Sequence, residues 1–257
     1  MTKKRVAKPW ELSPTTRFDD RAELYAKYRP SYPAEAIDCV LEGLGDPAGL
    51  LAADIGAGTG IVSRLLAGCG VSVRAVEPNA QMRRVAEQNE HVHWTEGTAE
   101  KTGLDDHSVD LIVSGQAWHW FEPNATCKEM SRIAIPGGRL ALLWYDDLPG
   151  NEPSQEYRRI VEPGAKETFG IHAVEQWEPT LAPPLDHKKC ERFEFEYAYR
   201  LDLTGLIGRA RSASYVPHEG LDADRLVREM TEMHARFAES DGFVTMGLLC
   251  IVHRYAL

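Results

Sequence analysis

A glycine-rich run, DIGAGTG, starts at Asp54 directly behind an apolar segment. Its glycines, Gly56, Gly58 and Gly60, occupy every second position, and residues with helical spacing follow them. Glycines between a strand and a helix leave the backbone open to a polar ligand, and the positive end of the helix dipole favours negative charge there. The run is therefore predicted to be a ligand-binding turn.

The spacing of this run differs from that of two common nucleotide sites. A dinucleotide fingerprint has a small residue at the position that Ile61 occupies, because the helix packs closely against the strand there. The chain also lacks a G-x-x-x-x-G-K-[ST] pattern, whose lysine binds phosphate groups. The turn is thus not expected to hold a triphosphate.

A second candidate residue is Glu77, which ends the next apolar segment, VSVRAVE. A carboxylate at the end of this strand can accept hydrogen bonds from both hydroxyls of a ribose. Pro78 and Met82 follow where an adenine ring would lie, and Thr98 and Ala99 come after a third strand, on the other side of that ring. The predicted ligand is an adenosine with a small zwitterion in place of a pyrophosphate.

The elements that position these residues alternate between two periodicities. Short apolar runs predict strands, and apolar residues at every third or fourth position predict helices between them. The predicted strands are 50–55, 71–77, 91–96, 110–115 and 139–145, and the predicted helices are 19–28, 33–44, 61–69, 79–88 and 125–134. This alternation predicts an α/β fold, with a parallel sheet and helices on both faces.

Beyond Pro149 the pattern changes. It predicts a helix near 156–167, a half-exposed strand at 192–201, helices at 203–216 and 223–239, and a buried final strand at 243–257. The chain is therefore expected to comprise an N-terminal tail (1–17), a cofactor-binding core with two leading lid helices (18–148), and a C-terminal part (149–257). The last part would complete the sheet and form a helical cap over the substrate.

Composition narrows the classes of partner. The 257 residues carry a formal net charge of -10, which disfavours nucleic acid as a partner; the basic cluster KKRVAK at 3–8 is expected to be a solvated tail. No segment is long and apolar enough for a membrane span or a secretory signal, so a cytoplasmic protein with no membrane partner is expected. Five widely separated cysteines indicate neither disulfides nor a metal site.

Several motifs carry a family resemblance. DIGAGTG, VEPNAQM, GTAEKTGL and SGQAWHWF, in this order and spacing, resemble the class I S-adenosylmethionine-dependent methyltransferases. YAKYRPSYP and QAWHWF also resemble the "type 11" small-molecule group that includes the trans-aconitate methyltransferase-like proteins. The match covers about residues 18–145. It implies a Rossmann-like sheet of seven strands in which the last is antiparallel and inserted beside the fifth.

The resemblance also implies roles for individual residues, with S-adenosylmethionine as the cofactor. Gly56, Ala57, Gly58 and Gly60 would pass under its methionine moiety, Asp54 would brace that loop and the amino group, Glu77 would hold the ribose, and Pro78 and Met82 would flank adenine. Thr98 departs from the family, since many relatives carry Asp at this position to accept a hydrogen bond from the adenine amino group. Ala99 would still meet the ring through its backbone N–H.

The segment QAWHWF follows the fourth predicted strand, and ligands of open α/β sheets bind beyond the carboxyl ends of the strands. Gln116 is expected at the cofactor, and Trp118 and Trp120 at the substrate, although aromatic side chains at such positions also commonly fill the core. His119 is the candidate general base if the acceptor is a hydroxyl group. A structural histidine would give the same sequence.

Two further segments have both a functional and a structural interpretation. In YAKYRPSYP, Tyr28 and Arg29 belong either to a lid that reaches the methionine carboxylate or to an amphipathic helix that only packs. In RARSASYV, Arg209 or Arg211 either pairs with a substrate carboxylate or lies on a helix surface. Of this segment, Arg211 and Tyr215 are predicted to contact the substrate.

The predicted activity is methyl transfer from S-adenosylmethionine to a small-molecule acceptor by in-line displacement, in a monomer or homodimer. This reaction requires no metal, and its main requirement is the alignment of nucleophile, methyl and sulfur. The alternatives are an NAD-dependent oxidoreductase, which Ile61 disfavours, a nucleic-acid methyltransferase, which the charge disfavours, and a non-catalytic S-adenosylmethionine-binding subunit.

Overall fold

The computed structural model describes residues 9–11, 15–16, 18–169 and 190–257. The predicted basic cluster at 3–8 and most of the predicted tail lie outside these residues. The strands of the described part are β1 (Leu51–Ile55), β2 (Ser72–Val76), β3 (Val92–Thr95), β4 (Val109–Gly115), β5 (Ala134–Asp147), β6 (Cys190–Leu201) and β7 (Val244–Ala256). Its helices are α1 (Ala22–Tyr28), α2 (Ala34–Leu41), α3 (Ile61–Gly68), α4 (Ala80–Val85), α5 (Pro123–Ile133), α6 (Glu152–Phe169), α7 (Leu203–Arg211) and α8 (Leu221–Phe237).

The described strands form one seven-stranded sheet in the order β3-β2-β1-β4-β5-β7-β6. Strands β1 to β5 pair in parallel, whereas β7 is antiparallel both to β5 and to β6. This arrangement confirms the predicted Rossmann-like fold, with the last strand inserted beside the fifth. Because the strand order reverses between β1 and β4, the crevice at their carboxyl ends is where an open α/β sheet binds its ligands.

The central strands are buried on both faces, which explains their nearly continuous apolar sequence. Successive residues point to opposite sides, so Ala52 packs in one core cluster, with α2 and α3, and Ala53 in the other, with α5. A third cluster joins α6, α7 and α8 to the ends of β6 and β7. The C-terminal part therefore completes the sheet, as predicted.

Several helices are shorter than the apolar periodicity predicts; α2, for example, ends at Leu41 instead of residue 44. The helix after β2 ends at Val85 instead of residue 88, and α7 ends at Arg211 instead of residue 216. Asn79 caps the N-terminus of α4, and its side chain accepts hydrogen bonds from the N–H groups of Gln81 and Met82. This cap fixes the chain direction directly behind Glu77.

Within the described part of the chain, no helix is long and apolar enough to cross a membrane. The same residues contain no group of three or more His, Cys, Asp and Glu side chains that could hold a metal ion.

Candidate functional site

The glycine loop between β1 and α3 is fixed to the end of β2. The Glu77 carboxylate accepts a hydrogen bond from the Gly58 N–H at 2.8 Å and another from the Asn79 N–H at 2.8 Å. Burial raises the pKa of Glu77, and these two hydrogen bonds act against that shift. A carboxylate has about four acceptor positions, so each oxygen of Glu77 can still accept a hydrogen bond from a ligand.

Most backbone donors of the loop are engaged within the protein. The N–H groups of Gly56 and Ala57 both donate to the Val76 carbonyl, at 2.9 and 3.1 Å, and that of Gly60 donates to the Ala57 carbonyl at 2.8 Å. The loop therefore offers a ligand a surface with few side chains, on which these N–H groups already have partners. Gly56, Gly58 and Gly60 all have positive φ angles, a conformation that glycine adopts at low cost.

The loop borders a first cavity of about 390 Å³. This volume lies within the range of small-molecule and cofactor sites. The cavity is lined by Trp10, Thr15, Phe18, Tyr25, Gly56, Gly58, Glu77, Pro78, Met82, Thr98, Ala99, Glu100, Gly115, Gln116, Ala117, Trp120, Phe121 and Glu122. Its walls are apolar around Met82 and Ala99, and its acidic groups are Glu77, Glu100 and Glu122.

A second cavity of about 150 Å³ lies on the other side of the loop. It is lined by Tyr25, Arg29, Pro30, Tyr32, Asp54, Gly56, Ala57, Gly58, Thr59, Ile61, Val62, Gly115, Gln116, Tyr145 and Arg209. The residues common to both cavities are Tyr25, Gly56, Gly58, Gly115 and Gln116. The two cavities therefore meet at the carboxyl ends of β1 and β4.

The backbone is held in an unusual conformation at this junction. Gln116 has a φ of 57°, which is uncommon for a residue with a side chain, and its N–H donates to the Leu143 carbonyl at 2.9 Å. A Cβ at Gly56 would come within 2.8 Å of Ala117, and one at Gly115 within 2.8 Å of Tyr32. Such strain and close approach are frequent where a fold forms a functional site.

Asp54 lies at the floor of the second cavity and is almost completely buried. Its carboxylate accepts a hydrogen bond from the Ser63 hydroxyl at 2.6 Å, which ties β1 to the first turn of α3. Burial raises the pKa of Asp54 to about 6, and the hydrogen bond from Ser63 opposes that shift. The side chain therefore changes charge just below neutral pH.

Most of the predicted site residues line one of the two cavities. Their roles stay predictions, and this placement gives them a geometric basis. The predicted residues that line the first cavity, the second or both are Arg29, Asp54, Gly56, Ala57, Gly58, Glu77, Pro78, Met82, Thr98, Ala99, Gln116 and Trp120.

The general-base role predicted for His119 does not fit its position. The imidazole lines neither cavity and packs between the rings of Trp120 and Trp144, with centroid distances of 4.6 and 5.3 Å. Burial lowers the pKa of His119 to about 3, so the ring is a weak base at neutral pH. Trp118, predicted at the substrate, is buried in the core beneath α5.

Four other predicted residues also lie away from the two cavities. The ring of Tyr28 packs directly over Gly208 of α7, where a Cβ would not fit, and Gly60 is the N-cap of α3. Arg211 does not line either cavity, and Tyr215 lines a different cavity between α6 and α8. The structure places Arg209 at the second cavity in place of the predicted Arg211.

Several lining residues were missed by sequence reasoning. Tyr25 belongs to the same helix as the predicted Tyr28 and Arg29, and Tyr145 ends the apolar run of β5. Trp10 lies within the segment that was predicted to be a tail, yet it lines the first cavity. A signal was available for Tyr145, because it is polar at its tip and stands at the carboxyl end of a central strand.

Comparisons with known proteins agree with this geometry. The sequence profile of a family described as "Methyltransferase domain" matches residues 53–142, which include β1, the glycine loop, Glu77 and β4. A relative from Mycobacterium tuberculosis, named an uncharacterized methyltransferase, is 42% identical over 180 residues, or 65% of this chain and 72% of the relative. The chain belongs to this methyltransferase family.

Solved structures place the methyltransferase in class I. A protein from Anaeromyxobacter dehalogenans, assigned as a type II methyltransferase, has 26% identity and a TM-score of 0.67, covering 89% of this chain and 97% of its own. Phosphoethanolamine N-methyltransferase 2 of Haemonchus contortus, solved with phosphomonomethylethanolamine and S-adenosylhomocysteine, shares the fold at 17% identity. Its TM-score is 0.52, with 98% of this chain and 60% of that chain covered.

The methyltransferase is an S-adenosylmethionine-dependent enzyme, as methyltransferases of this class are. Its placement in the trans-aconitate methyltransferase-like group stays a prediction.

Proposed function

We propose that this methyltransferase binds S-adenosylmethionine across the junction of the two cavities and transfers the methyl group to a small molecule. The observation that carries the proposal is that two neighbouring cavities share Gly56, Gly58, Gly115 and Gln116 in their walls, with the buried Glu77 in the wall of one and Arg29 in the wall of the other. An adenosine donates hydrogen bonds through its sugar, and a methionine moiety ends in an anion. The two sides of the junction match these two chemistries.

The first cavity is suited to the adenosine part. Glu77 keeps two acceptor positions for the ribose hydroxyls, in a buried setting where charge-assisted hydrogen bonds are strong. Pro78, Met82 and Ala99 provide apolar walls for adenine. Thr98 offers a hydroxyl where many relatives carry a carboxylate, and the Glu100 carboxylate lines the same cavity.

The second cavity is suited to the methionine part. Asp54 would accept from its amino group, and Arg29 would bind its carboxylate. The Arg29 guanidinium lies 4.7 Å from the centre of the Tyr25 ring and donates to the Ser212 carbonyl at 3.3 Å. In the part of the chain that the structure describes, no carboxylate lies within 4.0 Å of Arg29 and its buried Nε has no hydrogen-bond partner. A ligand carboxylate would give Arg29 an acidic partner and would accept a hydrogen bond from Nε.

The chemistry supplied by bound S-adenosylmethionine is an in-line displacement: the acceptor atom bonds to the methyl carbon as the carbon–sulfur bond breaks, and sulfur keeps the electron pair. The protein contributes position, since Tyr25, Gly115 and Gln116 enclose the junction where sulfur would lie. Correct orientation contributes on the order of 7 to 11 kcal/mol in favourable cases. We assign no proton transfer to His119, because it lines neither cavity.

The small-molecule acceptor is supported by the net charge of -10, which opposes binding to nucleic acid. We further propose the predicted division of the chain: a cofactor core at 18–148, with α1 as a lid, and a C-terminal part whose helix α7 faces α1 and caps the acceptor side. The Tyr28 ring on Gly208 and the Tyr199 hydroxyl, which donates to the Tyr28 carbonyl at 2.7 Å, join these parts.

Two measurements test this proposal. Calorimetric titration should show binding of S-adenosylhomocysteine and none of NADH; the reverse result would favour an oxidoreductase. The enzyme should then be incubated with S-adenosylmethionine labelled on its methyl group and a cell extract divided by dialysis. We expect label in the dialysable fraction. Label confined to retained protein or nucleic acid would contradict a small-molecule acceptor, and no transfer to any fraction would favour a non-catalytic binding subunit.

A further inference from the structure

One acidic residue of the first cavity has no ligand partner in the proposed binding mode. Three acidic residues, Glu77, Glu100 and Glu122, line this cavity. The Glu77 carboxylate is held by the N–H groups of Gly58 and Asn79, and it is proposed to bind the ribose. The two remaining carboxylates lie in different surroundings, which decide what each of them can bind.

The Glu122 carboxylate is engaged at the start of α5. Its oxygens accept hydrogen bonds from the N–H groups of Asn124, at 3.3 Å, and Ala125, at 2.7 Å, so that Glu122 is the N-cap of this helix. The positive end of the helix dipole also favours a negative charge there. Glu122 is therefore bound to α5 whether or not a ligand is present.

The Glu100 carboxylate has one engaged oxygen. Its Oε1 accepts a hydrogen bond from the Glu122 N–H at 2.8 Å. Among the residues that the structure describes, no donor contacts Oε2, and no cationic side chain lies within 4.0 Å of this half-buried carboxylate. The side chain is thus restrained at one oxygen and keeps acceptor positions for a donor of the ligand.

A tight turn places Glu100 next to the proposed position of adenine. Thr98 and Lys101 exchange two backbone hydrogen bonds, of 3.1 and 3.2 Å, so Ala99 and Glu100 form the tip of the turn. Both tip residues line the first cavity, as does Met82. Because adenine is proposed to lie against Met82 and Ala99, Glu100 follows directly after a residue that contacts the ring.

The amino group of adenine is a hydrogen-bond donor, and a carboxylate is a strong acceptor for it. Hydrogen bonds to an ionised group are about twice as strong as those between neutral groups. The Thr98 hydroxyl is neutral, so it is a weaker partner for the amino group than the Glu100 carboxylate. The acceptor that many relatives carry as Asp at position 98 is thus available here two residues further along the chain.

We propose that the Glu100 carboxylate accepts a hydrogen bond from the adenine amino group and thereby selects the base of the cofactor. This inference deepens the proposed function and rests on it, because it assumes that the first cavity holds the adenosine part. Glu100 is then a specificity-determining residue for the cofactor, in place of the Asp of many relatives.

The test compares two ligands that differ only in the amino group: S-adenosylhomocysteine, and its deamino analogue, whose purine ring carries hydrogen there. Each is titrated calorimetrically into the full-length wild type, Glu100→Gln and Glu96→Gln. Glu100→Gln can keep an oxygen on the Glu122 N–H, while it loses the charge and turns an NH2 group towards the ligand. Glu96→Gln is the control, since Glu96 follows the same strand, is exposed and lies outside the cavity.

Wild type should bind S-adenosylhomocysteine at least about tenfold more tightly than the deamino analogue, the ratio expected for a hydrogen bond to a charged group. In Glu100→Gln this ratio should fall to about two or less, because the remaining NH2 group cannot accept from an amino group. The affinity for the analogue should change little, since it has no amino group to lose a partner. Glu96→Gln should keep the ratio of wild type.

Equal affinity of wild type for the two ligands, or an unchanged ratio in Glu100→Gln, would overturn the inference. Weakening of both ligands by the same factor would also overturn it, because a purely structural contact between Glu100 and Glu122 predicts that result. If Glu100→Gln binds neither ligand, Glu100→Asp decides: its shorter side chain should lower the ratio, and an unchanged ratio would contradict the inference. If wild type itself fails to bind S-adenosylhomocysteine, the proposed function fails instead, so the two failures are distinguishable.

Discussion

The two cavities that meet at the glycine loop differ in charge. Three acidic residues, Glu77, Glu100 and Glu122, line the first, whereas two arginines, Arg29 and Arg209, and one aspartate line the second. One side therefore suits hydrogen-bond donors such as hydroxyl and amino groups, and the other suits anions. A ligand that spans both sides needs hydrogen-bond donors at one end and an anionic group at the other, as an adenosyl amino acid has.

The cavities also differ in how their polar side chains are held before a ligand binds. Glu77 is held by two backbone N–H groups before any ligand arrives, so its position does not depend on the ligand. Arg29 and Arg209 are held mainly by rings, which leave their N–H donors available. We infer that the first cavity positions its ligand through a group that is already fixed, and that the second binds a charged end through donors that are still available.

The largest expected effect is on the acidic side. Glu77→Ala should weaken binding of S-adenosylhomocysteine by about 1.5 to 3 kcal/mol, because it removes hydrogen bonds to a charged group. This corresponds to roughly a 10- to 150-fold higher Kd in a calorimetric titration. Glu96→Ala is the matched control, since this carboxylate is exposed and forms an ion pair with Arg83. Equal affinity in wild type and Glu77→Ala would remove Glu77 from the site.

A second prediction concerns the wall behind the first cavity, where His119 is buried. The pKa of His119 is about 3 in the folded protein, and an unfolded histidine has about 6.5. The unfolded chain therefore binds the extra proton first as the pH falls. His119 therefore leaves the free energy of unfolding unchanged above pH 6.5. Between pH 6.5 and 3 it lowers that free energy by about 1.4 kcal/mol per pH unit.

Urea unfolding at pH 7 and pH 5 checks this prediction. Wild type should lose about 2 kcal/mol more than His119→Phe over that interval, since the variant has no proton to take up. The same loss in both proteins would mean that His119 is accessible to solvent and would revive its predicted role as a base.

The third prediction concerns Asp54, the acidic exception in the second cavity. Burial raises the pKa of Asp54 to about 6, so the carboxylate is charged above this pH and neutral below it. Affinity for S-adenosylhomocysteine should therefore be about tenfold lower at pH 5 than at pH 7, or about 1.4 kcal/mol. In Asp54→Asn this difference should vanish, with weaker binding at both values. A pH-independent affinity in wild type would separate Asp54 from the amino group of the ligand.

The smallest expected effect is on the cationic side. Arg29→Gln should weaken S-adenosylhomocysteine binding by about 1 kcal/mol, or roughly fivefold, because Arg29 is only half-buried and water screens its charge. Arg236→Gln is the control, because Arg236 lies over the Phe237 ring and lines neither cavity, and it should leave the affinity unchanged. A loss as large as that of Glu77→Ala would show that Arg29 and Glu77 contribute equally to ligand affinity, and would contradict the difference between the two cavities.

The difference between the cavities parallels what the sequence allowed us to predict. Gly58 and Glu77 follow central strands whose apolar runs are unambiguous, and parallel strands bring their carboxyl ends to one edge. Their positions at the first cavity therefore followed from local pattern alone.

The second cavity depends on packing between distant segments, which local pattern does not contain. Arg209 and Arg211 are two residues apart on α7, so they point to nearly opposite sides of the helix. Which of them faces the cavity is decided by the contact of α7 with α1, where Tyr28 packs on Gly208. The same contact places the Tyr28 ring on α7, so Tyr25 lines the junction and Tyr28 does not.

The most direct test of the central claim is a crystal structure with S-adenosylhomocysteine. We predict adenine between Met82 and Ala99, both ribose hydroxyls on the Glu77 carboxylate, sulfur beside Gly115 and Gln116, and the ligand carboxylate on Arg29. Density for the ligand outside the junction, or a ribose that leaves Glu77 bound only to Gly58 and Asn79, would contradict it.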